Sequence, residues 1–377
     1  MSAAEEGRAK VFAIARPPSP AAVLRGEAPP LRLEPGDHPP PFQLRDHNER
    51  LTSPWEVGFS GDPVALVFRA GGAADDYAAE LSAYRDELTA LARHRLAVFA
   101  LSEGTPEANR ALAAEHRLNF PVLSDPRGAV RRAYGFGDAT NGAISLLLDH
   151  NHRLAAIVDR PGNAPHAARL RRLLEDKPPP PAAALGPHPP VLVVPRALSR
   201  ADCTMLMEYY ARPAPIWEPD PETQACDAYR VEKGDFKLRE NLYGNVVQLV
   251  VRAAELQSYI DEKLMRRLIP EIETAFQTTI THREAYRIAC YDAAEDGGLP
   301  QHRDNNSPAT RFRRFTASVV LNAGEYEGGQ LRFREYGEQI YEVETGSAIV
   351  WSASLLHEVL RVTKGRRFML GTHMSGG

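Results

Sequence analysis

The sequence predicts a two-part chain of class α/β plus α+β: an α/β first half, then a double-sheet β barrel or jelly roll with flanking helices. Three observations point there. The 377 residues exceed a single domain of roughly 150. Eight prolines lie between Pro178 and Pro195, near the middle of the chain. Apolar runs alternate with helical spacings before that cluster and give way after it to short, evenly spaced strands.

Composition bounds the rest. Hydrophobic residues make up 43% and charged residues 25%, an ordinary globular balance. Net charge is −4, which gives no global reason to expect nucleic acid. No apolar run approaches the roughly 20 residues of a membrane span, so no membrane partner is expected. Three cysteines, Cys203, Cys226 and Cys290, are too few for a disulfide framework, and no Cys-x-x-Cys pair supports a structural zinc site. The acidic start Met-Ser-Ala-Ala-Glu-Glu does not read as a secretory signal. A reducing cytoplasm is the expected compartment.

Residues 1–34 lack a period and read as an arm, docked through Val11, Phe12 and Ile14. The run Val64–Phe68, bounded by Gly61-Asp62-Pro63 and Gly71-Gly72, is a buried strand. Tyr77, Leu81, Tyr84, Leu88 and Leu91 recur at helical spacing. Leu96–Leu101 is a second strand. Pro106–Glu115 is a helix, with Thr105 as N-cap and Pro106 at the first helical position. Ile144–Leu148 and Arg153–Val158 form a hairpin across Asp149–His152, and Ala167–Leu174 is a closing helix. The prediction is a mostly parallel sheet with an antiparallel edge over 35–176.

Four consecutive prolines, Pro178–Pro181, cannot continue a helix and favour a semi-rigid extended spacer, placing a linker at 177–190. In the domain over 191–377, Ser199–Tyr210 and Val246–Phe276 read as helices. Strands are expected at Tyr286–Tyr291, Thr316–Leu321, Gln330–Phe333, Ser347–Trp351, His357–Arg361 and Phe368–Thr372.

This second domain carries the candidate chemistry. In His302-Arg303-Asp304, strand alternation puts the imidazole and the carboxylate on one face. His357 follows 53 residues after Asp304, on a later strand. Two histidines and one carboxylate make the facial triad of a non-haem Fe(II) site, with open positions for a co-substrate and O₂. Arg367, ten residues after His357, could hold a dicarboxylate through a bidentate salt bridge. The Gly324–Gly329 turn is assigned no chemistry. Arg311, Arg313 and Arg314 form either a basic loop for an acidic substrate or a solvated strand edge.

Tyr291, His302-Arg-Asp304-Asn305, Leu321-Asn322, Gly328-Gly329-Gln-Leu331, Trp351-Ser352 and His357-Glu-Val359 through Arg367 resemble, in order and spacing, the catalytic domain of prolyl 4-hydroxylase-type Fe(II)/2-oxoglutarate dioxygenases. The resemblance implies a double-stranded β-helix. It implies His302, Asp304 and His357 as iron ligands, 2-oxoglutarate as co-substrate with O₂, and ascorbate as an accessory. It implies Arg367 as partner of the 2-oxoglutarate C5 carboxylate, with Arg366 as a competing choice. Tyr291 matches a tyrosine that hydrogen-bonds 2-oxoglutarate, or is a packed strand tyrosine. Related halogenases replace the carboxylate ligand with a small residue; Asp304 is present, which favours hydroxylation. His373 is an unusual polar residue on the last strand, facing the substrate or satisfied at the periphery.

Pro35-Gly-Asp37, Pro41-Phe-Gln-Leu44, Val64–Phe68, Ala79-Glu80-Leu81, Phe120–Asp125 and Ala133-Tyr134-Gly135 resemble the thioredoxin-fold peroxiredoxins. In that family a peroxidatic cysteine stands three residues before the glutamate. Here that residue is Tyr77, and all three cysteines lie beyond residue 200. Peroxide chemistry needs a thiolate, so the resemblance implies a degenerate redoxin used for packing, substrate presentation or homodimerisation. The expected whole is a dioxygenase hydroxylating a peptidyl residue or small metabolite and releasing succinate and CO₂. The alternative is a non-catalytic binding or assembly module.

Overall fold

The computed structural model describes residues 11–16, 18–69, 74–137, 142–159, 164–176, 184, 186–211, 228–231 and 245–376. The predicted spacer at Pro178–Pro181 and the residue Cys226 lie outside them. The chain divides into two compact units. One holds Pro18–Ala182, and the other joins Met1–Pro17 to Ala183–Gly377.

In the first unit, five strands run in the order Val122–Ser124, Ala97–Ser102, Val64–Arg69, Ala143–Leu148, Leu154–Val158. The first three are mutually parallel and the last two antiparallel. The strands are apolar on both faces because both are covered. Leu66, Phe68, Phe99, Leu101 and Leu146 pack with Phe42 and Tyr134 on one side. Ala65, Val67, Val98 and Ala100 pack with Tyr77, Leu81, Tyr84 and Leu170 on the other. The helix Pro106–Glu115 begins as predicted, with the Thr105 hydroxyl accepting from the Ala108 amide.

The second unit is built on a large antiparallel sheet. Its path runs Ala228–Val231, Val246–Val250, Arg287–Asp292, Arg366–Ser375, Phe315–Val320, Ala348–Ser352, Val191–Val194. A smaller sheet holds Leu299–His302, His357–Val359, Leu331–Arg332 and Ile340–Tyr341. Strand alternation divides the large sheet's side chains. Ile288, Cys290, Ala317, Val319, Phe368 and Leu370 face the helices Arg200–Tyr210, Ala254–Arg267 and Ile269–Phe276. Ala289, Tyr291, Ile349 and Trp351 pack against Leu331, Phe333 and Val359 of the smaller sheet. The helix Arg200–Tyr210 starts at Ser199, which closes a full capping box with Asp202.

One expectation is corrected. The span Val246–Phe276 is not one helix. Val246–Val250 is a strand paired with Arg287–Cys290, as its valine-rich composition favours. The helix starts only at Ala254 and breaks at Leu268, where Pro270 opens the next one. The described part of the segment 1–34 is docked, including at the expected Val11, Phe12 and Ile14. Val11–Ala13 adds a strand beside His282–Glu284 of the second unit, while Val23 and Leu33 are buried in the first. Arg16 seals the strand's exit with a bidentate pair to Glu273.

Candidate metal centre

His302 ends one strand of the smaller sheet and His357 begins its neighbour, in direct register. Their rings lie 4.3 Å apart. Asp304 follows on the loop, where its amide donates to the Ala353 carbonyl at 3.0 Å and its carbonyl accepts from Arg313 Nη1 at 2.8 Å. Further contacts tie the two loops together. Asn305 Nδ2 donates to Ser354 Oγ at 2.6 Å, and Glu335 accepts from both Arg303 and the Leu356 amide.

The three side chains offer ligand atoms that all lie within 4.8 Å of one another. His302 Nδ1 lies 2.7 Å from the Pro300 carbonyl and His357 Nδ1 3.0 Å from the Leu355 carbonyl. A carbonyl only accepts, so each Nδ1 carries the proton and each Nε2 presents a lone pair. Those Nε2 atoms sit 3.4 Å and 3.5 Å from Asp304 Oδ1 and Oδ2. Acceptors that face one another in a largely buried place repel unless a cation lies among them. The set therefore fits a divalent transition metal, with both imidazoles held in the ligating tautomer.

The proton equilibria follow from the same geometry. Burial opposes charge on Asp304, but its close contact with His302 and the electrostatic influence of His357 and His373 hold its carboxyl far below the usual range. Burial works to lower the His302 imidazole, yet Asp304 beside it raises it on balance. The more deeply buried His357 is lowered by desolvation despite Asp304.

Arg367 is 4% exposed and lies opposite Tyr291 in the sheet, its guanidinium 5.2 Å from that ring. Its Nη1 is buried with no hydrogen-bond partner among the described residues. A buried, unmet guanidinium nitrogen is costly and calls for an anionic acceptor, as a dicarboxylate would supply. The adjacent Arg366 points the other way and is exposed. Tyr291 is buried, with its hydroxyl 3.9 Å from Met369 Sδ.

Some contributors were not evident from spacing. Gly329, at φ 73°, leaves room for the Arg367 stem. Arg313 is no solvated edge residue, because it pairs with the buried Glu284. Thr316 donates to Asp304 and also meets His373. A hydroxyl twelve residues after a candidate ligand carries no signal of its own, and the contact exists only through sheet register. Cys203 and Cys290 are buried thiols, pushed up to about 12 and about 11 by desolvation.

In the first unit, Tyr77 is 2% exposed and its hydroxyl donates to the Leu101 carbonyl at 2.9 Å. Burial pushes its phenol far up, so it offers no nucleophile. Among the described residues, no helix is long and apolar enough to cross a membrane.

Comparison with known proteins separates the chain along the same division. Residues 35–163 match the model of the AhpC/TSA family, and residues 286–374 that of the 2OG-Fe(II) oxygenase superfamily. A chloroplastic peroxiredoxin Q of Sedum lineare is 30% identical over 137 residues, covering 35% of this chain and 73% of the relative. The chain spans about half the length of two further plant peroxiredoxin Q sequences. A PKHD-type hydroxylase of Xylella fastidiosa is 27% identical over 187 residues, covering 47% of this chain and 75% of the relative. The solved structure of peroxidoxin BcpB from Mycobacterium tuberculosis aligns with a TM-score of 0.33 at 20% identity, over 38% of this chain and 96% of that one.

Proposed function

We propose that this chain, which belongs to the AhpC/TSA family through residues 35–163 and to the 2OG-Fe(II) oxygenase superfamily through residues 286–374, is a 2-oxoglutarate-dependent hydroxylase with an inactive redoxin half. The observation that carries the proposal is the convergence of His302, Asp304 and His357 in one partly buried cluster whose lone pairs face one another. These three residues would hold Fe(II). When bound, the iron supplies the O₂ chemistry that couples decarboxylation of 2-oxoglutarate, to succinate and CO₂, to oxidation of a substrate C–H bond. Ascorbate is expected to sustain turnover in vitro.

The chain's own part is to bind, orient and exclude water. The Pro300 and Leu355 carbonyls fix both imidazole tautomers. Arg367 would take the C5 carboxylate of 2-oxoglutarate, with the Tyr291 ring against its guanidinium and Tyr291 as a second contact to the same co-substrate. Phe333, Trp351 and Leu331 form an apolar wall behind His357 that keeps water from the cluster. The two packed sheets are read as a double-stranded β-helix, and the first unit as a thioredoxin-like fold.

A peptidyl residue and a small metabolite both remain in the substrate class proposed here. The first unit contains no cysteine, so its proposed role is packing, substrate presentation or homodimerisation in the cytoplasm. The test is 2-oxoglutarate turnover by the full chain. Succinate and CO₂ should form only with Fe(II), and their release should vanish in His302→Ala. Undiminished turnover in that variant would overturn the assignment.

A further inference from the structure

Thr316 is the second residue of the strand Phe315–Val320, opposite His373 on one side and Trp351 on the other. Its hydroxyl is 2.6 Å from Asp304 Oδ2 and 3.0 Å from His373 Nδ1. The proton count admits one arrangement. The Thr316 hydroxyl donates to Asp304 Oδ2, so its single proton points there. The Thr316 oxygen is then an acceptor toward His373, whose Nδ1 must carry a proton. The chain of donors runs His373 to Thr316 to Asp304, and it ends on one carboxylate oxygen. Oδ1, on the His302 side, takes no such bond from Thr316.

We infer that Thr316 and His373 are positioning residues that set which oxygen of Asp304 faces the metal. By occupying Oδ2, the hydroxyl fixes the carboxylate plane and leaves Oδ1 as the better donor. The β-branched Thr316 has few rotamers on a strand, and at 6% exposure it has no room to turn away. His373 is itself held in an electrostatic frame of Glu284, Arg313 and Arg287. Partners that orient metal-binding carboxylates this way typically contribute about 10- to 100-fold to metal affinity. The inference rests on the proposed iron site and goes beyond it, because it assigns a role to two residues outside the triad.

The experiment is Co(II) binding to the full chain, measured by titration calorimetry and by the visible spectrum of the Co(II) form. The metal-free melting temperature is recorded in parallel. Thr316→Val keeps the shape and removes the hydroxyl; it should weaken Co(II) about 10- to 100-fold and alter the spectrum. Thr316→Ser should restore affinity to within a few fold. His373→Phe keeps a ring and removes the donor; it should weaken Co(II) about tenfold and carries the test if Thr316→Val does not fold. A Thr316→Val protein that binds Co(II) as tightly as the parent overturns the inference while leaving the proposed function standing. A parent chain that binds no Co(II) overturns both.

Discussion

Gly329 lies directly against Arg367: a Cβ added at the glycine would stand 2.7 Å from Arg367 Cδ and 2.9 Å from Val362 Cγ2. The arginine stem therefore crosses a position that only a hydrogen can occupy. Gly329 also has φ 73°, a conformation that costs other L-residues about 1 kcal/mol or more. Gly329→Ala should displace the guanidinium and raise the KM for 2-oxoglutarate about 10- to 100-fold, as misplaced binding groups do. Steady-state succinate release against 2-oxoglutarate concentration checks it.

The two adjacent arginines should separate cleanly. Arg367 is buried with an unmet nitrogen, whereas Arg366 is exposed and rests against the Phe368 ring at 5.6 Å. Losing a buried charge partner costs about 2 kcal/mol or more. Arg367→Leu should therefore raise the 2-oxoglutarate KM about 30-fold or more. Arg366→Ala should stay within about twofold, since exposed charges contribute little. Equal effects from both variants would contradict the proposed binding mode.

Metal binding should weaken in acid. The lone pairs that would take a metal are also those that take protons. With its pKa raised by Asp304, His302 begins to protonate above the ordinary histidine range. Protonated His302 cannot ligate, so metal affinity should fall as pH drops, starting above the pH at which an ordinary histidine titrates. Co(II) titrations across pH should show this. The raised His302 value should also disappear from the metal-bound protein, as read by NMR of the imidazole.

The Glu284 carboxylate is 1% exposed and pairs with both Arg313 and Arg287, the latter at 3.1 Å. Burial opposes its charge, but the hydrogen bond from Arg313 holds its pKa below the usual value. Such a group adds stability at pH values above the ordinary glutamate pKa. That stability is lost as pH falls, because the unfolded chain takes the proton first. The second unit should thus melt at lower temperature as pH drops below about 5. Glu284→Gln should flatten that dependence while costing about 3 kcal/mol at pH 7, because it leaves two cations without their partner. Calorimetric melts of the parent and the variant over a pH series decide it.

Some of this was legible in the residues. A Pro after a Thr at 105–106 marks a helix start through a bond that spans three residues, and it forms as expected. His302, Asp304 and His357 were also readable, because strand alternation and motif spacing are local properties. Val246–Phe276 was misread because apolar residues at mixed spacing suit a helix or a strand, and pairing with Arg287–Cys290 chose the strand for its first five residues. The short strand Val11–Ala13 has no stability alone and exists through the open edge beside His282–Glu284.

The sequence by itself determined the two-part division, the absence of any thiol from the first half, and the identity of three residues that cluster as candidate metal ligands. Each depends on residue type or short-range periodicity, which survive without knowledge of contacts. Only the tertiary structure decided that Arg367 and not Arg366 is buried, that Gly329 makes room for it, and that Thr316 connects His373 to Asp304. Those relations join residues 12 to 57 positions apart, or turn on which face of one strand a side chain takes. Strand register and sheet packing set them, and neither is encoded in any short stretch of chain.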